Sequence, residues 1–233
     1  MGRPRKYSRE QLQAAALALV DARGLAGLSM RALAAELGTG AMTIYNHVAS
    51  REDLDVLVVE AVVAQGDWSL PGRGDWREDT RHIAAAMWRT VRAHPHAIPL
   101  ILTRRSRSPA ALAVAETLIE ALSRSGRSGQ RLLIAFRAVS AFVMGFAQAE
   151  LAGPLAVEAG EAVGVVIRRI RALPRRQYRH LIEVAGAAAS SDAESEFHAG
   201  LDLLLAGLAA KPPARRARDK KISPRRHGDT EHR

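Results

Sequence analysis

The chain has 233 residues, of which 48% are hydrophobic, 4% aromatic and 25% charged, with a formal net charge of +10. Ala, Leu and Val carry the hydrophobicity, which favours packed helices over a β-sandwich, and the length allows one large domain or a small one joined to a larger one. Without cysteine there is neither a disulfide framework nor a thiolate metal site.

Residues 1–7 read as a flexible basic arm containing Arg3, Arg5 and Lys6. Ser8-Arg9-Glu10-Gln11 has the capping-box form and starts a first helix. Leu12, Ala15, Ala16, Leu19 and Val20 form its buried face, and Gly24 ends it. Residues 29–51 read as two short helices around a glycine-bearing turn. Ser29 caps the first, over about residues 30–37; Gly38-Thr39-Gly40 is the turn; the second covers about residues 41–46. A helix of under two turns is not stable alone and must be held by packing. Ile44 is its inward anchor, which leaves Ala41, Met42, Thr43, Tyr45, Asn46 and His47 facing outward. This is the arrangement of a helix-turn-helix, whose second helix fits the major groove of DNA. Ser50 then caps a fourth helix running to about Gln65, with Leu54, Leu57, Val58, Ala61 and Val62 at helical spacing.

The Pro- and Gly-rich residues 68–75 mark a domain boundary. Asp75 and Glu78 resemble a cap for a helix that runs to about Ala93 and carries Ile83, Met87, Trp88 and Val91; His94-Pro95 ends it. A short apolar stretch, residues 97–102, precedes the polar residues 104–107. Ser108-Pro109 starts a helix with Leu112, Ala115, Ile119 and Leu122. A long helix over residues 129–151 follows, with Leu132, Phe136, Val139, Val143 and Phe146 in a heptad seam. Gly153-Pro154 breaks it, and residues 155–186 are ambiguous. Ser191 and Glu194 cap a last helix bearing Phe197, Leu201, Leu204 and Leu208.

The charge sits at the two ends. Residues 1–9 carry four cations and no acid, and residues 211–233 carry nine cations against three acids, so residues 10–210 are neutral. The first tail adjoins the expected DNA reader, where phosphate attraction makes sense. The second reads as a disordered, solvated tail. No apolar run approaches the roughly 18 residues of a membrane helix, and no secretory pattern opens the chain, so a cytoplasmic protein is expected. There is no G-x-S-x-G, no cysteine nucleophile, no His/carboxylate cluster at metal spacing and no Gly-rich phosphate loop, which argues against an enzyme and against a cofactor.

The first sixty residues resemble the TetR family of bacterial repressors: the basic arm, the helix from Ser8, then LSMRALAAELG, TGAMTIYNHV and SREDLDVLVVEAV. Thr43-x-Tyr45-x-His47-Val48 is close to the tetracycline-repressor-like subgroup. So are Asp75-Trp76-Arg77, Ala93-His94-Pro95, Met144-Gly145-Phe146 and Phe197-x-x-Gly200-Leu201-x-x-Leu204-Leu205-x-Gly207-Leu208. The resemblance covers about residues 3–210. It implies an all-α fold: a three-helix DNA-binding headpiece over residues 8–66, then a larger ligand-binding and dimerisation domain over residues 75–210. It further implies a regulator that represses by binding a pseudo-palindromic operator as a homodimer and is released by a small molecule. An activator of the same fold and a helical adaptor that binds no DNA are the alternatives. By spacing alone the two heptad seams suit an intramolecular core as well as a subunit interface; the resemblance points to the interface.

Carried over position by position, the resemblance nominates Arg3, Arg5, Lys6, Ser29, Arg31, Ala41, Met42, Thr43, Tyr45, Asn46, His47 and Arg51 for DNA contact. Arg31 suits a bidentate bond to guanine, Tyr45 a phosphate, and Arg51 the backbone at the head of the fourth helix. Ala41 and Met42 cannot make bidentate bonds but can touch thymine methyls, so the operator differs from the tetracycline one. The arm follows phosphates or enters the minor groove. Met87, Trp88, Leu100, Phe142 and Gln148 are the nominated ligand liners. The subgroup's metal-ligand positions fall at Ile101 and Ala149, which cannot ligate, so no metal is expected.

Overall fold

The computed structural model describes residues 7–70, 74–152 and 163–210, and among them every regular element is helical. The arm residues Arg3, Arg5 and Lys6, the Gly153-Pro154 break and the basic tail lie outside the described residues. Helix α1 (Arg9–Arg23) opens on the capping box: Gln11 N–H donates to Ser8 Oγ at 3.2 Å and Ser8 N–H donates to Gln11 Oε1 at 2.9 Å. Helices α2 (Met30–Glu36) and α4 (Arg51–Val63) each start on a serine cap without the return bond, with Ser29 accepting from Ala32 N–H and Ser50 from Asp53 N–H. Between them lies α3 (Ala41–Tyr45). Gly38 leaves α2 at φ 60°, a left-handed conformation that glycine adopts without a Cβ penalty.

Seven helices follow: α5 (Trp76–Arg92), α6 (Ile98–Arg104), α7 (Pro109–Ser123), α8 (Gly129–Ala152), α9 (Val163–Arg171), α10 (Arg175–Ala188) and α11 (Ala193–Ala209). The cap of α11 is Asp192, one residue later than expected from Ser191: Asp192 accepts from Ser195 N–H at 2.9 Å. Ser195 N–H also holds the Asp192 carboxyl below the usual carboxylate range.

Two apolar cores result. The first joins Leu12, Ala16, Leu19 and Val20 of α1 to Leu33, Ile44, Leu54, Leu57 and Val58. It is not closed by the first four helices alone, because Ala97 and Leu100 belong to it. The second centres on Trp88, stacked on Phe197 at 4.5 Å with an interplanar angle of 7°, and surrounded by Ile83, Leu118, Leu122, Val139, Val143, Leu201 and Leu205. Both heptad seams are therefore largely spent inside the subunit: Val139 and Val143 of α8 and Phe197 and Leu201 of α11 are fully buried. What α8 and α11 leave exposed is the opposite face, with Ile134, Ala141 and Gly145 on one and Leu203 and Gly207 on the other.

Contrary to the expectation from the sequence, one helix is long and apolar enough to cross a membrane by length and composition, Gly129–Glu150 of α8. Its most apolar 18-residue window has a mean hydropathy of 1.7 even with Arg137 inside it. It packs against α5, α7 and α11 with Ala135, Val139, Val143 and Ala147 fully buried, while Leu133 and Ile134 on its other side are exposed.

Truncating Phe197 to alanine removes the partner of Trp88 and opens a cavity at the centre of the second core. A loss of about 3–5 kcal/mol is expected, read as a lower urea midpoint at unchanged slope. An unchanged midpoint would mean that the stack is not the centre of that core.

Candidate nucleic-acid interface and ligand cavity

The reader is α3. Its Ile44 is fully buried against α1, α2 and α4, so the short helix is held from beneath. The turn before it is tied down by Thr39 N–H donating to Ala34 O at 2.8 Å. Met42 and Tyr45 are 75% and 52% exposed. Arg31, Ser29 and Asn46 are also exposed, while Ala41, Thr43 and His47 are half-buried at the edge of the same surface. Eight of the expected contacts, Ser29, Arg31, Ala41, Met42, Thr43, Tyr45, Asn46 and His47, thus reach the surface on α2, α3 and their flanks. The sequence reading missed Tyr7. Its hydroxyl donates to Leu37 O at 2.8 Å and its ring meets His47 edge-on at 6.5 Å, so Tyr7 sits beside the reader. An aromatic residue at the root of an otherwise polar arm was the available signal.

Arg51, half-exposed at the head of α4, also bonds within the protein. Its guanidinium donates to Leu28 O, to Leu25 O at 3.5 Å and, through Nε, to Asp55 Oδ1 at 3.1 Å. These internal acceptors occupy it, so it braces the turn between α1 and α2 instead of standing free. Asp55 is buried and also accepts from Arg104 Nε, at 3.2 Å through its other oxygen. One carboxylate therefore links the end of α6 to the headpiece turn. A second buried acid of α4, Glu60, accepts from Arg9 at 2.6 Å and Gln13 at 2.8 Å of α1.

A largely apolar cavity of about 340 Å³ lies between the C-terminal end of α4 and helices α5 to α8. Met87 is the one nominated liner that borders it. Trp88, a single residue further along α5, points about 100° away into the aromatic core, where its Nε1 donates to Glu150 Oε2 at 2.8 Å. Phe142 tilts against Phe197 in that same core. Leu100 sits in the first core, and Gln148 is exposed. From α8 it is Phe136, Ser140 and Met144, four residues apart, that face the cavity. From α7 it is Leu112, Ala115 and Ile119 of the expected stripe; its fourth member, Leu122, is buried in the core with Val114, Leu118 and Ala121. Trp68 closes one side of the cavity, its Nε1 donating to Val63 O at 2.7 Å. Its ring crosses Gly66 so closely that a Cβ there would lie 2.1 Å from it. His94 is buried between Asp21 at 2.9 Å and Gln65 at 3.0 Å, a junction between the first helix and the second core's helices.

A three-helix reader with a propped second helix, followed by a helical body enclosing an apolar cavity, matches known proteins along most of its length. Residues 12–55 match the family described as bacterial regulatory proteins, tetR family, and residues 69–211 match the tetracyclin repressor-like C-terminal domain. The chain belongs to the TetR family. An HTH-type transcriptional regulator of Saccharopolyspora erythraea is 32% identical over 215 residues, covering 89% of this chain and 90% of that protein. The tetracycline repressor protein class D of Escherichia coli is 29% identical, covering 87% and 89%. Among solved structures, the TetR-family protein ActR of Streptomyces coelicolor in complex with actinorhodin superposes with a TM-score of 0.71 at 27% identity, covering 88% of this chain and 99% of that one. The chain is accordingly a TetR-family transcriptional regulator with an N-terminal helix-turn-helix and a helical C-terminal domain.

The Asp55 link makes a local prediction. Asp55→Ala leaves Arg51 and Arg104 without their shared carboxylate. Because these side chains are 47% and 33% exposed, water screens much of the loss, and the expected cost is only about 1 kcal/mol. Amide exchange at residues 25–28 should nevertheless accelerate in this TetR-family headpiece. Unchanged exchange there would show that Arg51 holds the turn without Asp55.

Proposed function

We propose that this protein is a ligand-responsive repressor that binds a pseudo-palindromic operator as a homodimer, in the cytoplasm, and is released by a small molecule. The observation that carries the reading is α3: a five-residue helix anchored by Ile44 presents Met42 and Tyr45, two large side chains, to solvent. Exposed apolar surface of that kind marks an interaction site. Tyr45 donates to a phosphate, Arg31 reads a guanine edge, and Ala41 and Met42 meet thymine methyls; Thr43, Asn46, His47 and Ser29 complete the contact, and the arm residues Arg3, Arg5 and Lys6 enter the minor groove. Arg51 serves as the brace that fixes the reader's angle. The exposed faces of α8 and α11 suit a four-helix bundle across a two-fold axis, which sets the two readers roughly 34–36 Å apart.

The cavity supports the effector half of the reading, because it is bordered by the last turn of α4 (Val62, Val63) and by Arg105 and Ser106. Their neighbours Arg104 and Arg107 reach Asp55 and Asp53 of α4, at 3.2 and 3.7 Å. A ligand that shifts this segment moves α4, and with it the turn held by Arg51. Coupling of this kind is reciprocal and typically ~1–3 kcal/mol. Repression, rather than activation, is favoured by the similarity to the class D tetracycline repressor.

The test is binding to the protein's own promoter DNA at moderate salt, followed by fluorescence anisotropy. The double variant Tyr45→Ala, Arg31→Ala should lose about a hundredfold or more in affinity while keeping its melting temperature and its dimeric mass in sedimentation. Equal affinity for scrambled DNA, or a monomer that binds normally, would sink the proposal. Ile134→Asp, on the exposed face of α8, should shift the dimer towards monomer and weaken operator binding with it.

A further inference from the structure

We infer that the cavity selects an anionic ligand: an apolar carbon frame carrying an oxyanion (carboxylate, phenolate or enolate) that pairs with Arg105. This rests on the effector reading above and narrows it to a chemical class. The walls are mostly carbon, from Met87, Val91, Ile119, Phe136 and Met144. Among the described residues, Arg105 is the one charged residue bordering the cavity, and no acid lines it. Within the segment 104–107, Arg104 is paired with Asp55 and Arg107 with Asp53, whereas Arg105 has no carboxylate partner among the described residues. Arg105 is exposed, so it stands at the mouth and not in the depth. A cation brought there meets a like charge with nothing to neutralise it, and an anion gains a charge-assisted, bidentate partner.

The rest of the lining adds no second charge: Thr90, Ser106 and Ser140 are its only other polar members among the described residues, and the Ser140 hydroxyl is buried away from water-sized access with no hydrogen-bond partner. The lining asks for a molecule that is apolar within and negative at the rim.

The experiment uses the full chain and two fluorescent probes of one carbon frame: anilinonaphthalene sulfonate, an anion, and N-phenylnaphthylamine, its uncharged counterpart. The sulfonate should bind about tenfold more tightly than the neutral probe, the ratio a charge-assisted pair supports. Arg105→Gln should erase that preference by weakening the sulfonate alone, and Arg105→Lys should keep most of it. Two cavity-filling variants, Ala115→Trp and Ser140→Phe, each checked for an intact melting transition, should block both probes. Equal affinity of the two probes with both blocked by filling, or a preference that survives Arg105→Gln, overturns the anionic class and leaves the effector cavity standing. Failure of both probes to bind, or binding that neither filling variant affects, overturns the cavity reading and this inference with it.

Discussion

Helix α4 has to be stable with almost no free surface. Residues 54–62 are buried without a break, which for a helix means burial on every side. Two of them are acids, and a buried carboxylate is strongly unfavourable unless it is paired and hydrogen-bonded. Both are. Glu60 is held by Arg9 and Gln13 of α1, and Asp55 by Arg51 and Arg104. The helix is thereby clamped at one point to the first helix and at another to the end of α6. It cannot shift without disturbing one of those pairs. That constraint ties the reader to the body of the molecule.

The cavity sits where this clamp ends. Val62 and Val63 of α4 form part of its wall, and Trp68 folds back over the last turn through its bond to Val63 O. Gly66 is required for that return, since a side chain there would occupy the space of the indole. The same indole, with Val63 and Val114, also borders a second, open depression near Arg9, Gln13 and Glu60, so these three residues stand between the apolar cavity and the Glu60 clamp. The chemistry of the cavity and the position of α4 are therefore neighbouring properties. A small displacement at Arg105 or Trp68 has a short mechanical route to the turn that precedes α2.

Much of this was legible residue by residue. The serine caps at Ser8, Ser29, Ser50 and Ser108 fall where the spacing placed them, because capping is a matter of one side chain and the backbone two or three residues on. Ile44 as the sole inward residue of α3 follows from the same local periodicity. The liners were not legible. α5, α7 and α8 each carry apolar residues on two faces, and periodicity alone does not say which face meets a core and which meets a cavity. Met87 and Trp88 differ by one position and end on opposite sides. Gln148, singled out as a polar residue in an apolar helix, is merely solvated, whereas Ser140, the less conspicuous case, is the one that stands unpaired. The internal bonds of Arg51 were not legible either, because its acceptors, the Leu25 and Leu28 carbonyls, are more than twenty residues away in the chain.

By itself the chain of residues determined the all-helical class, the helix starts, the split reader with its single anchor and the family, since each depends on interactions spanning a few residues or on motifs preserved in order. Tertiary structure alone decided which apolar face of each long helix is core, where the cavity opens, and which arginines are engaged. Those outcomes depend on pairings between segments twenty to more than a hundred residues apart, such as Asp55 with Arg104 or Trp88 with Phe197, and a one-dimensional pattern holds no term for them.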